Sequence, residues 1–94
     1  MLSDKVKRRN QLTIMADILE TAKQGTLKTQ IMYKANLSFT QLHDYLTFML
    51  NSELLEQNKT SGKEVYMATT KGSDFLVKHS ELIQILRNGS FRKE

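Results

Sequence analysis

Asn36-Leu37-Ser38-Phe39-Thr40-Gln41 decides how this chain is read. Ser38 with Gln41 three residues on is a capping box: the hydroxyl accepts from the Gln41 backbone N–H, and the Gln41 side chain reaches back to the Ser38 N–H. Asn36 tolerates left-handed backbone better than most residues and marks a tight turn just ahead of the box. A helix therefore begins behind Ser38, and Phe39, Leu42, Leu46, Met49 and Leu50 give it one apolar face. Thr40, Gln41, Asp44, Thr47 and Asn51 fall on the opposite side. Before the turn, a shorter helix is expected from about Leu27 to Lys34, with Thr26 as N-cap and Ile31 and Met32 facing inward.

Upstream, Leu12, Ile14, Met15, Ile18, Leu19 and Ala22 form a helical stripe, and Gly25 stands where a left-handed C′ glycine would end that helix. Downstream, Leu54 to Asn58 and Lys63 to Ala68 read as two short strands, linked by the turn residues Lys59-Thr60-Ser61-Gly62. Thr69 can cap a last helix running to about Arg87, with Asn88-Gly89 as its stop. Met15, Met32, Met49 and Met67 fall on apolar faces and are expected to fill the core. Phe48 projects from the flank of the third helix, either to pack under the last helix or to meet a partner. The result is mostly α with a small β hairpin, in the order α-α-α-β-β-α, which is the plan of a winged helix-turn-helix. In that plan the third helix can enter a DNA major groove about 12 Å wide, and the hairpin reaches the neighbouring backbone. The expected organisation is a basic N-terminal arm (1–9), a winged-helix DNA-binding domain (10–69), a C-terminal dimerisation helix (70–87) and a tail (88–94).

Ninety-four residues bury about 65% of the unfolded surface on folding, enough for one core. The absence of cysteine excludes disulfides and thiolate metal sites. No run approaches the roughly 20 apolar residues of a membrane span, and no apolar stretch follows the basic N-terminus, so a cytoplasmic, nucleoid-associated protein is expected. The net charge of +4 is unevenly spread. Residues 1–34 hold seven basic and three acidic residues, and residues 59–94 hold seven basic and four acidic. Between them lie only Asp44, Glu53 and Glu56, with no Lys or Arg. Clustered lysine and arginine suit a polyanion, although ordinary solubilising charge would look similar. The arm from Lys5 to Arg9 could track phosphates or remain simply solvated. Catalysis and cofactors are not expected. His43 and Asp44 are adjacent in a helix and point about 100° apart, and no Gly-rich phosphate loop precedes a helix.

The run Lys28-Thr29-Gln30-Ile31-Met32-Tyr33-Lys34-Ala35-Asn36-Leu37-Ser38-Phe39 carries a resemblance, together with Leu42, Tyr45-Leu46, Leu54-Leu55 and Tyr66-Met67-Ala68-Thr69-Thr70-Lys71-Gly72. Between about Ile14 and Leu76 the chain closely resembles the archaeal winged-helix DNA-binding family, the ten-a type of Sulfolobus chromatin proteins and related transcription regulators. The resemblance implies double-stranded DNA binding, no enzymatic activity, and a homodimer joined by antiparallel C-terminal helices. Two departures stand out. Relatives usually carry basic residues on the third helix, where this chain has His43-Asp44, and the last helix, about 27 Å long, is shorter than the family's coiled-coil arm.

On this reading Thr40, Gln41 and Asp44 face base edges, while Ser38, Thr29 and Lys28 position the helix on the backbone. Lys34 adds phosphate attraction with Lys28, joined by Arg8 and Arg9 if the arm takes part, and Lys59 and Lys63 clamp through the wing. Phe75, His79, Leu82 and Leu86, with Leu76 and Ile83 beside them, form a heptad-like seam suited to a dimer interface. His79 would be a rim residue, or would make the dimer sensitive to acid if it lies near the dyad. The competing reading is a protein-interaction module whose winged helix contacts another transcription component. The acidic, lysine-free third helix is its support.

Overall fold

The computed structural model describes residues 10–87. Helix α1 (Gln11–Thr21) starts at the N-cap Asn10, whose side chain accepts from the Thr13 N–H at 2.8 Å. Strand β1 (Thr26–Leu27), helix α2 (Lys28–Ala35) and helix α3 (Phe39–Asn51) follow, then strands β2 (Leu55–Thr60) and β3 (Lys63–Ala68) and helix α4 (Thr70–Arg87). The three strands form an antiparallel sheet in the order β1-β3-β2. Four helices with this sheet make a winged helix fold.

The α3 capping box forms as expected: Ser38 N donates to Gln41 Oε1 at 2.9 Å, and Gln41 N donates to Ser38 Oγ at 3.1 Å. Asn36 takes the left-handed conformation at φ 56°, ψ 55°. Thr69 caps α4, its Oγ1 accepting from Gly72 N at 3.0 Å. The same hydroxyl donates to the carbonyls of Glu53 and Leu54, tying the helix to the start of the wing.

Thr26 is not an N-cap. Its backbone pairs with Tyr66 in the sheet, Leu27 takes the cap position, and the Thr26 hydroxyl donates to Gln30 Oε1 at 2.9 Å. Gly25 has positive φ, +94°, but lies beyond the helix end, which Ala22 caps; it turns the chain into β1. The hairpin is tighter than expected. Lys59 and Thr60 belong to β2, leaving only Ser61 (φ 53°) and Gly62 (φ 78°) in the turn, and two positive φ values suit the right-handed twist of the flanking strands. Asn88-Gly89 and the arm 1–9 lie outside the described residues.

Ile18, Leu19, Ile31, Leu42 and Met49 are essentially free of solvent, each contributing about 1.5–3 kcal/mol relative to exposure. Met15 and Met49 are in the core, and Met32 packs against it. Phe39, expected on the apolar face, is 71% exposed. Phe48 does not pack under the last helix; it is exposed and lines a cleft with Gln11 and Met15 of α1. In α4, Gly72 is buried and Phe75 and Leu76 pack on the core, whereas Val77, Leu82, Ile85 and Leu86 are each more than half exposed. The first two turns of α4 thus belong to the body, and the remainder leaves most of its apolar side chains uncovered.

Candidate nucleic-acid interface

Leu42, Leu46 and Met49 fix the inward direction of α3, so at 100° per residue Thr40, Asp44, Thr47 and Asn51 point away from the core, and all four are exposed. This outward ridge has two different flanks. On one side Gln41, Asp44, Tyr45 and Phe48 border a cleft of about 350 Å³ against Gln11 and Met15 of α1. On the other, Phe39, His43, Thr47 and Leu50 border a groove of about 200 Å³ against the wing, whose opposite wall includes Lys28, Gln57, Glu64 and Tyr66.

Lys28, Thr29 and Lys34 are exposed on α2, and Ser38 is exposed at the head of α3. Gln41 is exposed, but its side-chain carbonyl already accepts from Ser38 N. With the cap intact, the Gln41 carbonyl has one of its two lone pairs engaged, and its amide N–H groups are left for a base edge. The two-bond pairing of a glutamine with adenine, which uses both amide atoms, would have to share that oxygen with the cap.

The wing separates the two lysines expected to act together. Directly paired residues of an antiparallel ladder share a face, and neighbours along a strand alternate. Lys59 lies opposite Glu64, on the face that carries Gln57 and Tyr66 toward α3. Lys63 lies opposite Thr60 on the other face, which holds Val65 and Met67, the two side chains nearest Gly25. Among the described residues, the ion pairs are Lys23–Glu20 and Lys78–Asp74, so Lys28, Lys34, Lys59 and Lys63 are all outside carboxylate partnerships there. Tyr66 is buried beneath the groove, and its hydroxyl accepts from Gln57 Nε2 at 3.2 Å. Burial pushes its phenol above the usual range, and nearby Glu64 adds to the rise, so the tyrosine stays neutral.

Phe39, His43 and Gln57 join this surface without having been assigned to it from sequence. The helical wheel signals His43 weakly, at the edge of the polar arc. Phe39 carries no such signal, because apolar spacing puts it in line with Leu42 and Leu46. Along the seam of α4, Phe75 and His79 stack with ring centroids 6.2 Å apart, and Leu82 and Leu86 continue the stripe into the uncovered half. Among the described residues, no three His, Asp or Glu side chains cluster to hold a metal ion, and no helix is long and apolar enough to cross a membrane.

Comparison with known proteins agrees with this geometry. The winged helix-turn-helix family matches residues 8–87. The uncharacterized protein MJ0290 of Methanocaldococcus jannaschii is 35% identical over 80 residues, covering 84% of this chain and 36% of the relative. A second M. jannaschii protein, the uncharacterized MJ0287, is 29% identical over 82 residues, covering 86% and 80%. The chain therefore spans about a third of the first relative's length and four fifths of the second's. Among solved structures, Sso10a-2, a DNA-binding protein from Sulfolobus solfataricus, superposes with a TM-score of 0.76 at 25% identity, over 85% of this chain and 84% of that one. The resemblance to Sulfolobus winged-helix proteins read from residues 28–39 is borne out. With its four helices, three-stranded sheet and matched span, this chain belongs to the winged helix-turn-helix family.

Proposed function

We propose that the protein binds double-stranded DNA as a winged-helix homodimer and acts as a transcription regulator or chromatin-associated protein. The observation that carries this reading is the outward ridge of α3, which is polar, exposed and flanked by lysines that no carboxylate engages among the described residues. The similarity to Sso10a-2, named as a DNA-binding protein, supports it. Thr40, Asp44 and the free amide of Gln41 face base edges; Thr29 and Ser38 set the helix on the backbone. Lys28, Lys34 and Lys59 neutralise phosphates, with Lys63 contributing from the rear face of the wing. Asp44 is suited to accept from a cytosine N4 amine. Dimerisation uses the stripe Phe75, Leu76, His79, Leu82, Ile83 and Leu86, whose distal members need cover.

One feature favours a second reading: α3 holds no lysine or arginine and exposes both Phe39 and Phe48, as a protein-contacting helix would. Titration of a duplex at 50 and 200 mM salt separates the two. Each phosphate contact contributes about −0.9 to the slope of log K against log salt, so four contacts weaken binding on the order of 10²-fold across that range. No binding at the lower salt would favour the protein partner.

The wing register adds an internal control. Lys59→Ala is expected to lower the salt slope by about one per protomer and to weaken all sequences alike. Lys63→Ala should do markedly less. Equal slopes for the two variants would contradict the assignment of wing faces.

A further inference from the structure

The one large apolar side chain at the head of α3 has no home inside the molecule. Phe39 is the first residue of the helix, 71% exposed, and borders the wing-side groove with Lys28, His43 and Thr47. In helix-turn-helix docking the N-terminal residues of the reading helix contact base edges. Of the first three residues of α3, Gln41 is engaged in the capping box and Thr40 is short, which leaves Phe39 as the group with the greatest reach. The groove has a cation at its α2 edge, Lys28, which is outside any ion pair among the described residues. Its one carboxylate, Glu64, stands on β3 directly across from Lys59. An apolar surface beside a free cation suits a ligand with a methyl group close to a phosphate. In the DNA major groove only thymine, through its C5-methyl, offers that combination.

We infer that Phe39 packs against a thymine methyl in the major groove and gives the protein a preference for thymine on the wing side of α3. This rests on the DNA-binding reading and goes beyond it by naming a base and an atom. The contact is purely apolar, so its removal costs affinity without changing the number of phosphates neutralised. Lys28 is the converse, a phosphate contact indifferent to the base.

Alternating poly(dA-dT) and poly(dA-dU) duplexes test this without knowledge of a target site, since they differ only by the thymine methyl. At 50 mM salt the wild-type protein is expected to bind the thymine polymer about fourfold more tightly for each methyl covered, the equivalent of one buried methyl group. Phe39→Ala should bind both polymers equally, with the salt slope of the wild type. Phe39→Leu, which keeps an apolar side chain, should retain part of the ratio. Lys28→Ala should weaken both polymers and leave the ratio intact. Because Phe39 is exposed, thermal melting of each variant should match the wild type, which keeps folding out of the comparison. Equal wild-type affinities, or a full ratio in Phe39→Ala, would overturn the inference and return Phe39 to a protein contact. Failure of the wild type to bind either polymer would instead overturn the DNA reading itself.

Discussion

Changing Leu82 and Leu86 together to glutamine is expected to convert a dimer into a monomer and to weaken duplex binding by about 10²- to 10⁴-fold. The factor follows from linkage: two DNA-contacting surfaces on one particle bind with the second event at high effective concentration, and separating them removes that gain without touching either surface. Both leucines are more than half exposed in the single chain, so their loss leaves the core unchanged. Glutamine is a good helix former and adds no charge, so α4 and the electrostatics of the DNA face are preserved. Sedimentation should then give the 10.9 kDa of one chain for the variant and twice that for the wild type. The salt slope should fall to about half. A wild-type protein that sediments as one chain, or a variant that stays paired, would remove the dimer from the account.

Gly72→Ala should produce the largest loss of stability. A Cβ at this position would overlap the Leu54 carbonyl oxygen and press on Leu19 Cδ2 at 2.8 Å. Neither neighbour can give way easily, because the Leu54 carbonyl already accepts from Thr69 N at 3.1 Å and Leu19 is fully buried. Alanine gains about 1 kcal/mol of helix propensity over glycine, but overpacking against fixed backbone costs more than that. A net loss of at least about 2 kcal/mol lowers the melting temperature of a domain this size by roughly 8–16 °C. Gly62 supplies the contrast. Nothing lies within 4 Å of a Cβ there, so Gly62→Ala carries only the strain of its φ of +78°, about 1–2 kcal/mol. A Gly72→Ala protein that melts within two or three degrees of the wild type would mean that α4 does not seat on the start of β2 as described.

The contrast between these glycines reflects what one sequence can and cannot disclose. Signals confined to three or four residues were legible: the Ser38–Gln41 box, the left-handed Asn36 and the Thr69 cap all depend on neighbours along the chain. Strand β1 was not legible. Two residues are too few for any periodicity, and Thr26 and Leu27 are extended only because β3 lies beside them. Phe39 follows the spacing of Leu42 and Leu46, yet the neighbouring elements leave its side chain uncovered; no helical wheel contains that information. The wing shows the same limit at finer scale. Reading Lys59-Thr60-Ser61-Gly62 as a four-residue turn left Lys59 and Lys63 without assigned faces. The actual two-residue turn extends the ladder to Thr60–Lys63, and with a period of two that places the lysines on opposite sides.

The DNA-binding expectations depend on α3 presenting its outer ridge to a duplex. Backbone amide shifts of ¹⁵N-labelled protein, followed during titration with duplex DNA at low salt, report on that ridge residue by residue. The account predicts the largest changes at Thr40, His43, Asp44 and Thr47, with a second group at Gln57 and Lys59, and little change along Leu82 to Leu86. Shifts confined to α4, or to the cleft around Gln11 and Phe48 with the α3 ridge silent, would contradict it.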